Sequence, residues 1–181
     1  SARARIREAC AAPQAAVHFL TGGTQTNAIV IKAVLQPYQG VVSAVSGHVS
    51  VHEAGAIEAG GHKVMTIPSE SGKISAAAVE QFVADYEGDD NKAHMVMPGM
   101  VYLSQPNEFG VLYSLEELTA ISNVCRRHHL PLFLDGARLA YALACPENDV
   151  SLADIARLCD VFYIGGTKCG ALLGEAVVLP N

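Results

Sequence analysis

Short apolar runs alternate with stretches of helical periodicity along most of the chain. Residues 17–20 form an apolar run that predicts a strand, and Thr21-Gly22-Gly23 follows as a turn. Residues 24–35 repeat their apolar positions with the 3.6-residue period of a helix, which Pro37 and Gly40 stop. Further strands are predicted at 41–45, 63–67, 131–134, 161–164 and 176–179. Helices are predicted at 50–59, ended by Gly60-Gly61, at 76–86 after Gly72, and at 149–158 with Asp149 or Ser151 as its cap. Residues 95–103 are largely apolar, with Pro98-Gly99 as an interruption. Ser114-Leu115-Glu116-Glu117 is a capping box that opens a helix to about residue 128. The first seven residues read as the middle of a helix, and the sequence stops just after a strand.

Strands separated by helices of this length imply right-handed βαβ crossovers and a mainly parallel sheet. The strands are apolar on both faces, as a sheet covered by helices requires. The expected fold class is therefore α/β, a three-layer sandwich around a mainly parallel central sheet. In such sheets ligands bind beyond the carboxyl ends of the strands. Attention falls on the segments that follow each strand.

Composition narrows the choice. Half of the 181 residues are apolar and 17% are charged, an oily balance that suggests a large partner interface. No apolar run is long enough to span a bilayer, so no membrane partner is expected. The formal net charge is −6 and no basic cluster occurs, which argues against nucleic acid. Cys10, Cys125, Cys145, Cys159 and Cys169 are odd in number and lack C-x-x-C spacing. Neither a disulfide framework nor a zinc knuckle is suggested, and a reducing, cytoplasmic setting fits. No secretory signal opens the sequence.

Four segments after strands carry candidate chemistry. Thr21-Gly22-Gly23-Thr24 precedes a helix, where free N–H groups and the Thr24 hydroxyl could cradle a phosphate. The G-K-[ST] ending of a Walker loop is absent, and a plain glycine turn with an N-cap explains the segment equally well. In Phe133-Leu134-Asp135-Gly136-Ala137-Arg138 an acid ends an apolar strand and points toward the ligand crevice; alone, it could be an N-cap. Ile164-Gly165-Gly166-Thr167-Lys168 places a lysine after a buried strand, and a desolvated lysine is a nucleophilic amine. An ordinary loop lysine is the alternative. His48 and His52, four residues apart, would share a helix face. A metal is disfavoured, because the H-E-x-x-H order and a third ligand are missing. An imidazole stacked on a flat ring, or a structural histidine, fits better.

Together the four segments make one constellation. Pyridoxal phosphate needs a lysine for its Schiff base, an acid at its pyridine nitrogen and an anion cradle for its phosphate. Asp135 and Lys168 follow in the order and at the approximate spacing that such sites use.

The strings GGTQTN, HVSVHEAGAIEAGGHKV, FLDGARLAYAL and CDVFYIGGTKCGALLGEAVV resemble the low-specificity threonine aldolases and β-eliminating lyases, enzymes of the aspartate-aminotransferase fold type. The resemblance runs over nearly the whole chain. It implies a catalytic set of Lys168, His48 and Asp135. Lys168 would carry the cofactor, Asp135 would pair with the pyridine nitrogen, and His48 would stack over the ring. Gly23 and Thr24 would hold the phosphate, with Thr167 as a further contact. Arg138 would sit near the cofactor's phenolic oxygen and bind the substrate carboxylate.

The family pattern also implies a homodimer or homotetramer. Residues 1–181 would form the cofactor-binding large domain, with a C-terminal small domain following in a longer chain. Where the family often has a histidine after the strand ending near Leu103, this chain reads Ser104-Gln105-Pro106-Asn107-Glu108. Glu108, His52 or a water are the candidates for the base on the hydroxyl side. The implied reaction is cleavage of threonine or a related β-hydroxy-α-amino acid to glycine and an aldehyde. The rivals are β-elimination on the same cofactor and a non-catalytic α/β ligand- or protein-binding domain.

Overall fold

The structure is a computed structural model that describes residues 1–180. Its centre is a seven-stranded sheet in the order β1-β7-β6-β5-β4-β2-β3. The strands are β1 (Ala16–Leu20), β2 (Gln39–Ala44), β3 (Val64–Ile67), β4 (Met97–Ser104), β5 (Leu132–Asp135), β6 (Val161–Gly165) and β7 (Glu175–Leu179). Strand β7 runs antiparallel to both of its neighbours, β6 and β1, while the pairs among β3, β2, β4, β5 and β6 are parallel.

Alternate residues of each strand feed two separate cores. Val42, Val101, Leu103, Leu132, Leu134 and Phe162 pack on one face. That face is covered by α5 (Ala76–Gly88), α6 (Leu115–Arg127) and α8 (Leu152–Leu158), through Val79, Ile121 and Ile155. Val41, Met100, Tyr102, Phe133, Val161 and Tyr163 pack on the other face, under Val30 and Ile31 of α2 (Gly23–Val34) and Ile57 of α4 (Ala56–Ala59). The period-two pattern of the strands and the 3.6-residue pattern of the helices thus interlock as the expected three layers. Ile121 and Leu132 are fully buried. Truncating either to alanine costs about 2–5 kcal/mol, the range for a deleted core side chain.

The capping box expected at Ser114 forms with Glu117 on α6, and a second, Ser151 with Asp154, opens α8. Ser151 is therefore the cap of α8, and Asp149 instead accepts the Leu115 N–H at 2.9 Å. The N-terminal segment is helix α1 (Ala2–Ala9), with Ser1 as its side-chain cap.

Two expectations are corrected. The helix predicted at 50–59 is two short helices, α3 (His48–Val51) and α4. Between them Ala54 and Gly55 have φ of 51° and 75°, a left-handed kink that breaks the helical ladder and turns Glu53 into the interior. Pro98-Gly99, in contrast, does not interrupt β4. The register against β2 shifts between Gly40 and Val41, and Gly99 leaves room for Leu35 and Gln39, so the strand continues past the proline at its start.

Register sets the position of the site. Ser104 lies opposite Asp135, and Gly165 and Leu20 both lie opposite Glu175. The ends of β1, β4, β5 and β6 and the start of β7 therefore meet along one edge.

Candidate active site

Asp135, the last residue of β5, is 4% exposed. Four donors converge on it. The Tyr163 hydroxyl and the Ala137 N–H reach Oδ1 at 2.6 and 2.9 Å. The Tyr102 hydroxyl and the Asn27 amide reach Oδ2 at 2.5 and 3.0 Å. All four donors are neutral, and among the described residues no cationic side chain forms a salt bridge with Asp135. A buried carboxylate without a counter-ion is costly, so this acid is suited to a cationic ring nitrogen. Burial pushes the Tyr102 and Tyr163 phenols far upward, and the nearby Asp135 charge adds to it. Both stay protonated donors. The Ala137 N–H bond also answers the N-cap alternative: Asp135 braces its own turn, while Arg138 caps α7 (Leu139–Ala144).

The lysine loop lies against this turn. The Gly165 N–H donates to the Gly136 carbonyl at 2.9 Å, which joins the loops after β5 and β6 backbone to backbone. A Cβ on Gly136 would strike the Tyr163 carbonyl, and one on Gly165 would come within 2.5 Å of the Ala137 carbonyl. Only glycine permits so close an approach. The Gly166 N–H donates to the buried Glu175 carboxyl at 3.1 Å, and the Tyr141 hydroxyl donates to the Lys168 carbonyl at 2.8 Å. Burial raises the Glu175 carboxyl above its usual range, with the backbone N–H of Gly166 working against it. The expectation of a desolvated lysine is not met in this chain. Lys168 and Thr167 are both exposed, because the chain leaves the sheet at Gly165 and turns outward before it reaches them.

His48 opens α3 and is held at two points. Its Nδ1 lies 2.7 Å from Glu53 Oε1, and its backbone N–H donates to Glu108 Oε1 at 3.0 Å. The hydrogen bond to Glu53 raises the imidazole above its ordinary value, against the opposing effect of its own burial. Glu53 is 3% exposed. Burial works to raise its carboxyl, but the bonds from His48 and Asn27 and the nearby Thr24 hydroxyl together hold it below the usual range. His52 is exposed, with its ring centroid 5.4 Å from that of His48. Glu108 also accepts from the Ser104 hydroxyl at 2.8 Å.

The segment 21–24 forms the open start of α2. Gly22 is the N-cap and supplies no side-chain cap, so the first-turn N–H groups remain available to an anion. The position of Gly23 is set against the Asp135 cluster: a Cβ there would lie 3.2 Å from the Tyr163 hydroxyl. Thr24 is exposed on the first turn. Arg138 is half-buried, and among the described residues its guanidinium makes no hydrogen bond or ion pair, so it is available to a carboxylate.

Asp135 and His48 are thus joined in one hydrogen-bonded set, with the Lys168 loop and the start of α2 on its border. Asn27, Glu53, Tyr102, Tyr163 and Glu175 complete the site and were not singled out in the sequence. The only signal for Asn27 and Glu53 is polarity at positions that the apolar pattern places inside.

A mainly parallel sheet with one reversed strand and an acid, an imidazole and a lysine loop at the strand ends defines an α/β domain of the aspartate-aminotransferase fold type. The sequence model of the beta-eliminating lyase family matches residues 2–180, and the chain belongs to that family. Low specificity L-threonine aldolase of Pseudomonas sp. (strain NCIMB 10558) is 33% identical over 171 residues, which cover 91% of this chain and 47% of that protein. The solved threonine aldolase of Leishmania major superposes with a TM-score of 0.94 at 49% identity, over 99% of this chain and 52% of that one. Mouse CSAD, at 18% identity and a TM-score of 0.70 over 98% of this chain and 40% of that one, shares the fold. The chain spans about half the length of the relatives it matches. The family depends on pyridoxal phosphate, and the residues present fit that group: a buried acid without a protein cation, an uncapped helix start and an accessible amine.

Proposed function

We propose that this chain is the cofactor-bearing part of an aldolase that cleaves threonine or a related β-hydroxy-α-amino acid to glycine and an aldehyde. One observation carries the reading. Asp135 is a buried carboxylate held only by neutral donors, beside the loop that bears Lys168. When bound, pyridoxal phosphate supplies an electron sink for the pair left at the substrate α-carbon.

The chain's own residues supply the rest. Lys168 offers the amine that attaches the cofactor. With the cofactor bound, Asp135 would hold the proton at the ring nitrogen and His48 would stack on the ring. The open first turn of α2 at Gly23 and Thr24 would hold the phosphate, with Thr167 as a further contact. Arg138 binds the substrate carboxylate and so orients the Cα–Cβ bond for cleavage. Glu108 and His52 both lie beside His48 and, with a water, are the candidates for the base that would take the hydroxyl proton.

The family description favours β-elimination as a second reading. Turnover of threonine, phenylserine and tryptophan by the purified protein separates the two. Glycine and aldehyde from the first two substrates support the aldolase, and pyruvate formation supports elimination. Borohydride reduction with cofactor, followed by peptide mapping, tests Lys168 directly.

The exposed apolar side chains of Phe109, Tyr141, Leu172 and Leu173 support a homodimer or homotetramer. Five free cysteines support a cytoplasmic setting.

A further inference from the structure

We propose that Glu53 and Asn27 are positioning residues that fix the His48 imidazole and couple it to Asp135. This rests on the reading of His48 and Asp135 given above and extends it to residues on two other elements. The geometry is a relay with a single bridging amide. Asn27 Nδ2 donates to Glu53 Oε1 at 2.7 Å and to Asp135 Oδ2 at 3.0 Å. The same Glu53 oxygen lies 2.7 Å from His48 Nδ1. One primary amide has two N–H groups, and here both are used, one on each buried carboxylate.

Charge gives the relay its direction. Glu53 is as buried as a core leucine, and its one ionisable partner among the described residues is His48. Burying a lone carboxylate is costly, so the pair is stable with the proton on the imidazole. His48 then gives Nδ1–H to Glu53, which fixes the ring plane and leaves Nε2–H directed away from Glu53. The other charged and titratable groups facing His48 are Asp135, which favours the proton, Lys168, which opposes it, Glu108 on its backbone N–H, and His52 on its own helix. Glu53 is the nearest of the acids to the ring.

A single amide thus holds one imidazole and one carboxylate in register across α2, α3 and the end of β5.

The test is a histidine NMR titration of the protein without cofactor, with His48 assigned from a His48→Asn variant. In the unaltered protein, a slowly exchanging Hδ1 resonance of His48 is expected, and its absence would overturn the proposal. In Glu53→Gln the His48 midpoint should fall by about one pH unit, a tenfold weaker proton affinity, while the midpoints of His94 and His128 stay in place. Glu53→Asp should recover part of the shift. An unchanged His48 midpoint in folded Glu53→Gln overturns the proposal as well. The first readout needs no Glu53 variant, so misfolding of Glu53→Gln leaves the question decidable. Failure here leaves cofactor capture at Lys168 untouched, and failure of that capture leaves the Glu53–His48 bond standing.

Discussion

Gly165 donates its backbone N–H to the carbonyl of Gly136 at 2.9 Å, and this bond joins the acid loop to the lysine loop. The approach depends on missing side chains, since a Cβ on Gly136 would run into the Tyr163 carbonyl. The obstacle is backbone and cannot swing aside. Gly136→Ala should therefore cost about 3 kcal/mol, at the upper end for overpacking, and should weaken cofactor capture by moving the two loops apart. Urea midpoints and a cofactor titration measure both effects; a fully stable Gly136→Ala protein would show that the loops are not clamped here.

Lys168→Ala should abolish the borohydride-reducible bond to the cofactor and nearly all turnover, because attachment and release both need that amine. Phosphate and ring contacts would remain, so weak non-covalent binding should persist. Mass spectrometry after reduction decides it. A reduced adduct on another lysine of the variant would remove Lys168 from its role.

Asp135→Ala removes the shared acceptor of two buried phenols and one buried amide. Leaving buried donors unpaired costs about 1–3 kcal/mol each, so a loss of about 3 kcal/mol or more is expected. Cofactor should still bind in part, and the single-turnover rate at saturating cofactor should fall. An unchanged rate would take Asp135 out of the chemistry.

Much of this site was legible because its main residues follow strands. Asp135, Lys168, Gly23 and His48 each sit where an apolar run ends, and strand ends are where such sheets bind ligands. Tyr102 and Tyr163 were hidden for the opposite reason. Each lies inside an apolar strand and reads as core, which it is, while its hydroxyl reaches across the sheet to Asp135. Glu53 was concealed by the left-handed kink at Ala54 and Gly55, which no periodicity reports. The exposure of Lys168 was misjudged because apolar neighbours in sequence, Leu172 and Leu173, are themselves exposed.

Among the described residues the Arg138 guanidinium makes no hydrogen bond or ion pair, so its role is best read from substrate binding. Arg138→Lys keeps the charge but loses the planar, two-point grip on a carboxylate. KM for threonine should rise about tenfold, the equivalent of about 1.4 kcal/mol, within the range of one charged hydrogen bond. The melting temperature should barely move. A large loss of stability without a change in KM would make Arg138 a structural residue.

The His48–Glu53 pair should leave a mark on stability as a function of pH. The folded His48 lies above its ordinary value of 6.5, so its contribution is fully present below about pH 6.5 and is lost as pH rises through the folded midpoint. The folded Glu53 lies below its ordinary value of 4.5, so its contribution is present above about pH 4.5 and is lost as pH falls through its own midpoint. The pair therefore stabilises most between these two values. On the alkaline side the loss should be about 1.4 kcal/mol for each pH unit by which His48 is raised. Denaturation midpoints from pH 5 to 9 should fall more steeply in the unaltered protein than in Glu53→Gln, where the imidazole has no carboxylate to answer. Other groups titrate in both proteins and cancel in the difference. Parallel curves would mean that the 2.7 Å contact carries no charge, and that His48 is held as a neutral ring.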